Sequence, residues 1–466
     1  MAKILIVISS DIYVRNYLRT DALKEVLGAY ECDLIADQEL ALAEEVSQHP
    51  NFRGFYLQNR KIDKRHELLF NVMMWRYRKK SPTFRFRWLR NSQWHLVRRN
   101  KGLAVFVLSA IRWFFSAMVN PKGFRVVILG SKLIFPVAGW LLGKELEPNQ
   151  MVFRLLQKEK YRAIIFPSAA FDSISVDLIE LAQSESIPTL CLIDNWDNLT
   201  SKTVFRRRPD HLGVWGTQAK EQAIAIHGFR DEQVHLIGTP RFDAYFEYRD
   251  EKLGASPYGF PYILFTGSAM PFDEIGALRK VESVIYKSPF CPNDLAVIYR
   301  PHPWQQKRNT AAEFVESDFS RTFLDLQIAE GYRSGVKPET TVPSFQPDLN
   351  YYPTLLRNAA LVVGPLTTML FEASLCLRPV IALSYFDGHH QNTTKRYFSH
   401  FQGMQEVPGF SFCESPGELA SLIESALSLA KIDRKDSDKK TEYFLHHSSD
   451  SYPDRLKALI DYVVEG

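Results

Sequence analysis

Tyr299-Arg300-Pro301-His302-Pro303 sets one imidazole between two prolines, directly after an apolar run that reads as a strand. Proline fixes its own φ and restricts the residue before it, so His302 has little backbone freedom. Arg300 and His302 held at a strand end can donate hydrogen bonds to a phosphate. A rigid turn with an exposed histidine explains the same residues equally well. A second constellation, Gly364-Pro365-Leu366-Thr367-Thr368, follows the run Leu361-Val362-Val363 and opens a predicted helix from Met369 to Cys376. Glycine permits close backbone approach, and two hydroxyls beside unpaired N–H groups at a helix start form an anion site. The plainer alternative makes Thr367 or Thr368 only a helix cap. Glu372, one turn further on, is placed to bind ribose hydroxyls, and Gly267-Ser268 after Phe265 is either another donor contact or a simple loop.

Chemistry on a sugar hydroxyl needs a group that removes its proton. Asp194 and Asp197, in the polar segment Ile193-Asp194-Asn195-Trp196-Asp197-Asn198-Leu199-Thr200-Ser201-Lys202, are candidate bases, and Asp11 and Asp172, each just past another apolar run, compete with them. A turn with Asx caps is the structural alternative. Trp196 and Lys202 are features that a mere cap does not require.

The elements that must position these residues are short and fully apolar. Lys3 to Ile8, Cys32 to Ala36, Arg125 to Gly130, Ala163 to Phe166, Thr189 to Ile193, Leu212 to Trp215 and Val234 to Gly238 read as strands, with helices between them over 17–27, 176–183 and 218–226. The pattern repeats with Tyr262 to Phe265, Leu295 to Tyr299, Ala360 to Val363 and Val380 to Leu383. Apolar runs separated by amphipathic helices predict parallel sheets covered on both faces, hence an α/β protein. Its 466 residues exceed one ordinary core, and the turn-rich segment 255–261 reads as a linker. The expected organisation is two doubly wound domains facing a cleft, residues 1–254 and 262–466, with ligands outside the carboxyl ends of the strands. The charged stretch 431–440 reads as a flexible connection, and a closing helix over 456–464 packs back on the body. The five cysteines lie far apart and encode neither a disulfide framework nor a zinc site; they read as reduced, buried thiols.

A strand followed by Arg-Pro-His-Pro, then Gly-Pro-Leu-Thr-Thr with Glu372 downstream, resembles the donor half of GT-B glycosyltransferases of bacterial surface-polysaccharide assembly. The likeness is strongest to the capsule Kdo-transferase and sialyltransferase groups and to the CDP-glycerol glycerophosphotransferases of teichoic acid synthesis. It covers residues 260–460, while the N-terminal half matches only in fold pattern. The resemblance implies two Rossmann-like domains, with the acceptor bound by the first. It implies that His302, Thr367 and Thr368 contact the phosphates of a CMP- or CDP-linked donor, with Pro303 part of the donor-binding His-Pro motif. It also implies a metal-independent site without a resident cofactor. Asp194-Asn195-Trp196-Asp197 has the wrong spacing for an Asp-x-Asp metal motif, and Asp177 falls within a predicted helix. Charge on the leaving nucleotide is then met by Arg300, His302 and the helix N-terminus. Gly238-Thr239-Pro240-Arg241-Phe242-Asp243 resembles the Gly-x-Pro-x-x-Asp turn of GT-B enzymes, the UDP-GlcNAc 2-epimerases included. The expected activity is transfer of a sugar from a nucleotide-activated donor to a glycan or lipid-linked acceptor. Transfer of an alcohol phosphate, a 2-epimerase reaction and non-catalytic binding of a nucleotide sugar are the alternatives.

Between Arg53 and Lys122 there are 17 Lys and Arg against two acids, Asp63 and Glu67. Arg76, Arg78, Lys79, Lys80, Arg85, Arg87, Trp88 and Arg90 mix cations with aromatics, a pattern suited to anionic lipid headgroups. Nucleic acid is the less favoured ligand and a solvated helical face the plain alternative. The apolar segment Leu103 to Val119 follows closely but carries Arg112 in its middle, which argues against a span. The expectation is a cytoplasmic protein, peripheral on the inner face of the membrane, docked by a basic insertion at 53–122.

Overall fold

The computed structural model describes residues 1–57, 60–91, 102–119, 123–144, 149–168, 173–250, 256–302, 314–327, 351–390, 393–429 and 431–465. The chain forms two compact units, Met1–Pro240 with Phe444–Gly466, and Arg241–Tyr443.

The first unit is built on seven parallel strands: β1 (Lys3–Ile8), β2 (Glu31–Asp37), β3 (Phe52–Tyr56), β4 (Tyr161–Ser168), β5 (Thr189–Ile193), β6 (His211–Val214) and β7 (Val234–Leu236). Their order is β3-β2-β1-β4-β5-β6-β7, so the sheet reverses its winding between β1 and β4. Ile4, Ile6 and Ile8 face one core and Leu5 and Val7 the other. Burial on both faces is why these strands are continuously apolar. The C-terminal Tyr452–Glu465 helix lays Leu456, Leu459, Ile460 and Val463 into the same core as Ile4 and Leu190. The chain returns to this unit through a tight passage. A Cβ on Gly216 would lie 2.5 Å from the Phe444 carbonyl carbon, and Gly238 (φ +75°) would drive one into His446 O. The His446 N–H then donates to Trp215 O at 2.6 Å.

The second unit has six parallel strands: β8 (Tyr262–Thr266), β9 (Ala296–Arg300), β10 (Thr322–Leu324), β11 (Leu361–Pro365), β12 (Val380–Leu383) and β13 (Phe410–Cys413). The order β10-β9-β8-β11-β12-β13 places its switch point between β8 and β11. The division between units falls at Pro240, and the turn-rich segment 256–261 lies inside the second unit. The reason is that the Asp243–Asp250 helix belongs to this core, with Phe242 beside Phe371 and the Tyr245 hydroxyl on Glu372.

Three sequence expectations are corrected. Phe124–Leu129 is a helix, not a strand, ended by Gly130. A short apolar run has no period long enough to separate the two, and here Val126 packs into a helical layer with Phe70, Met74 and Phe84. The stretch 431–440 is no flexible connection: Asp433 caps an Arg434–Thr441 helix that buries Ser437 and Thr441. The insertion begins after β3, whose residues 52–56 pair with β2, and its helices continue to Gly143.

The Arg60–Tyr77 and Pro82–Asn91 helices of this insertion are pinned to the body by His227. This buried ring packs edge-on against Tyr77, Phe84 and Phe205 and lies 2.7 Å from Leu199 O through Nε2, which must therefore be its donor nitrogen. Burial lowers its pKa to about 4, outweighing the bond to Leu199, and nearby Lys80 acts in the same direction. With a depressed folded-state value, the unfolded chain takes up the proton first as pH falls. The stability His227 contributes above its ordinary pKa is therefore lost between pH 6.5 and about 4. Melting curves should show His227→Gln less acid-sensitive than the parent over this window, by up to about 3 kcal/mol at its lower end. Parallel pH profiles for the two proteins would contradict this anchor.

Candidate functional site

In an open α/β sheet the crevice forms where the winding reverses, outside the carboxyl ends of the strands. In the second unit those ends are Gly267-Ser268 after β8 and Gly364 to Thr368 at and after β11, with Arg300 to His302 at and after β9 on the other side of β8. Close approach stitches the three loops together. A Cβ on Gly267 would lie 2.8 Å from His302 N and 2.9 Å from Pro301 Cα, and one on Gly364 would collide with Thr266 O. The Gly267 N–H donates to Arg300 O at 2.7 Å, and Ser268 Oγ reaches Leu366 O at 3.5 Å. Glu274, buried at the start of the Glu274–Lys287 helix, accepts from the Ser268 N–H (2.9 Å) and the Tyr299 hydroxyl (2.6 Å). A small recess beside these loops is lined by Ser268, Met270, Phe272, Pro365, Leu366 and Thr393 among others.

Thr367 stands at the N-cap of the Thr368–Leu375 helix with extended φ −141° and ψ 156°, yet its side chain makes no capping hydrogen bond. Both hydroxyls are half-buried at the helix start, where the first N–H groups have no carbonyl partner within the helix. The plain capping explanation thus does not use the Thr367 hydroxyl, and the helix N-terminus with its two threonines shares the carboxyl edge of the sheet with the His302 turn, one strand removed.

Two residues of the expected donor set are spent elsewhere. Arg300 is only 6% exposed, and its Nε and Nη2 both donate to Tyr352 Oη, at 3.1 and 2.6 Å, so it buttresses the turn instead of facing a phosphate. Glu372 is fully buried; Arg241 and the Tyr245 hydroxyl occupy its two oxygens, which leaves none for a ribose. Burial and the adjacent Glu372 carboxylate hold the Tyr245 phenol well above its ordinary pKa. Pro303 lies outside the described residues.

The sequence reading missed a carboxylate-oriented imidazole on the next loop, past β12. Asp387 Oδ2 lies 2.7 Å from His390 Nδ1 and accepts the Asp273 N–H at 2.9 Å, while its Oδ1 accepts the N–H groups of His389 and His390. Burial alone would raise the Asp387 pKa, but these hydrogen bonds outweigh it and lower the value. In the neutral ring, a proton on Nδ1 leaves Nε2 as the acceptor. This Asp-Gly-His-His segment begins four residues after the predicted strand Val380 to Leu383, which was the available signal.

In the first unit, Asp11 lies at the switch point after β1 but accepts from the Ile12 N–H (2.8 Å) and the Ser10 hydroxyl (3.1 Å). Asp197 is paired with Lys202 at 3.0 Å and accepts from Ser201 Oγ, while Trp196 is buried against Phe444. Lys202 and Trp196, the features that set Asp197 apart, thus both have structural partners. Asp194, past β5, accepts from Asn16 Nδ2 at 3.1 Å, a buried side chain in the π-helical turn Val14–Leu18. Asp172 lies outside the described residues.

The proposed lipid-binding residues divide between internal contacts and exposed positions. Arg76 stacks 3.8 Å over Phe135, Arg78 lies 3.7 Å over Trp75, Lys80 donates to Ala225 O and Ile226 O, Arg87 donates to Ser201 O, and Trp88 is buried. Lys79, Lys80, Arg85 and Arg90 are exposed, Lys80 through its stem while its ammonium meets those carbonyls. Sequence alone does not show that Arg76, Arg78, Lys80 and Arg87 have an internal aromatic ring or carbonyl to meet.

No protein-family profile matches the chain, and no curated protein sequence matches it. Among solved structures it is similar to the UDP-GlcNAc 2-epimerase from Neisseria meningitidis bound to UDP-GlcNAc, at 10% identity over 100% of both chains with TM-score 0.51. It is similar also to the UDP-GlcNAc 2-epimerase from Methanocaldococcus jannaschii, at 11% identity over 98% of this chain and 99% of that one with TM-score 0.50. These similarities and the two parallel sheets define the fold as α/β of the GT-B type, with two Rossmann-like domains.

The Glu372 correction has a direct test. Glu372→Gln leaves Arg241 without its carboxylate and should destabilise the protein by about 3 kcal/mol in denaturant melts, with nucleotide affinity unchanged below the transition. Weakened nucleotide binding at unchanged stability would restore the ribose role.

Proposed function

We propose that this chain is a GT-B glycosyltransferase that takes its sugar from a nucleotide-activated donor, with the donor phosphates held at the switch point of the second unit. The observation that carries the reading is the Thr367 hydroxyl, which makes no capping hydrogen bond, beside Thr368 on a helix start at the same sheet edge as the His302 turn, with the Gly267-Ser268 loop between them. Hydroxyls and helical N–H groups complement an oxyanion without a counter-ion of their own. His302 adds an imidazole donor for the charge that develops on the leaving nucleotide. The donor class, CMP- or CDP-linked, rests on the resemblance of Arg-Pro-His-Pro and Gly-Pro-Leu-Thr-Thr to the capsule and teichoic acid transferases. A glycan or lipid-linked acceptor and a membrane setting belong to the same reading, with Asp194, past β5, as a candidate base.

A second reading, a UDP-GlcNAc 2-epimerase, is favoured by the fold similarity to enzymes of that name. NMR of UDP-GlcNAc incubated with the protein separates the two: a new C2 epimer without an acceptor would replace the transferase reading. Transfer of an alcohol phosphate would show instead as release of CMP from a CDP-alcohol.

Calorimetry tests the site itself. Thr367→Val with Thr368→Val should weaken CMP, CDP or UDP binding by about tenfold or more while leaving the melting temperature in place. If neither that pair nor His302→Ala changes the affinity for any of the three nucleotides, the donor site is elsewhere.

A further inference from the structure

The insertion ends in a surface that the rest of the unit does not use. Leu133, Ile134, Val137, Trp140 and Leu141 are 92, 42, 61, 66 and 50% exposed, and their spacing puts them on one face of the Phe135–Gly143 helix and the turn before it. A surface helix normally turns such a stripe toward its own core; this one turns it outward. The neighbouring Leu103–Val119 helix has no buried residue among its described side chains, with Leu108 67% and Phe115 64% exposed. Both helices pack on the same Phe124–Leu129 helix. Contiguous apolar surface of this kind on a folded chain marks an interaction site.

Charge selects the partner. Residues 68–144 hold 15 Lys and Arg and not one Asp or Glu. Of these cations, Arg112, Arg125, Lys132 and Lys144 are exposed on or beside the apolar helices. A second copy meeting this face through a two-fold axis would set cations against cations. Leu, Ile and Val have no stacking faces or hydrogen bonds to offer nucleic acid bases. Aliphatic side chains, a tryptophan and peripheral cations together match an acidic lipid surface, with the rings at headgroup level and the charges on phosphate. The 17-residue helix is about 25 Å long, less than a hydrocarbon core, and among the described residues no helix is long and apolar enough to cross a membrane.

We infer that the outward faces of the 103–119 and 135–143 helices dock the protein onto an anionic bilayer by shallow insertion, with the Leu133–Leu141 stripe as the wedge. This surface lies on other helices than the Arg76–Arg90 set, of which Arg76, Arg78 and Arg87 make internal contacts. It gives the membrane setting of the proposed function a location, and it stands or falls independently of the nucleotide site, whose calorimetry is done without lipid.

The test is co-sedimentation of the full chain with phosphatidylcholine vesicles and with vesicles that also contain phosphatidylglycerol. The wild type should pellet with the second and far less with the first, and added salt should weaken the difference. A triple variant, Val137→Glu, Trp140→Glu and Leu141→Glu, changes only exposed positions and should lose binding by about tenfold or more with an unchanged thermal melt. Should it misfold, brominated lipid provides a second readout: it should quench wild-type fluorescence more than that of Trp140→Phe. Absence of wild-type binding to acidic vesicles, triple-variant binding equal to wild type, or a lipid-free dimer abolished by the triple variant would each overturn the inference, the last in favour of self-association.

Discussion

The candidate site depends on how closely three strand-end loops of the second unit can approach one another. Gly267 and Gly364 have no Cβ to hold them apart, and an added one would meet backbone atoms of the adjoining loop or strand in both cases. Overpacked positions of this kind cost roughly 1–3 kcal/mol when the surroundings cannot move. The approach brings the His302 turn against Gly267 and sets Ser268 near Leu366, so groups distant in sequence share one edge. Buried Glu274 completes the stitching by accepting from the Ser268 N–H and the Tyr299 hydroxyl. Without these contacts Thr367 and Thr368 would be two hydroxyls on an ordinary helix end.

The fold was legible because a sheet buried on both faces writes itself as apolar runs. The run Ile4 to Ile8, whose residues are at most 2% exposed, needed no tertiary information to be read as a strand. Edge strands were harder: β10 has three residues and β13 alternates as Phe-Ser-Phe-Cys with only its ends buried, so neither forms such a run. The helix at 124–129 was misread for the converse reason, being apolar and too short to show a period. In the 434–441 helix, charges conceal the burial of two small polar residues, Ser437 and Thr441.

The site was half legible, and the division has a physical basis. Motif reading found the backbone devices, the Pro-His turn and the Gly-Pro-Leu-Thr-Thr helix start, because local chemistry dictates them. It misassigned Arg300 and Glu372, whose charges are satisfied by Tyr352 and by Arg241 with Tyr245, partners 52 to 131 residues away in the chain. Burying a charge without a partner is costly, so a buried Arg or Glu is commonly held by a group that the local sequence does not reveal. The same holds for Arg76 and Arg87 in the insertion, which meet the Phe135 ring and the Ser201 carbonyl.

The central claim is that a nucleotide's phosphates lie against the Thr367-Thr368 helix start, beside the His302 turn. A crystal structure of the protein with CMP, CDP or UDP bound tests this most directly. Phosphate oxygens should lie within hydrogen-bond distance of the Thr367 or Thr368 hydroxyls and of the first N–H groups of the Thr368–Leu375 helix. A nucleotide bound elsewhere, with these groups facing only water, would contradict it.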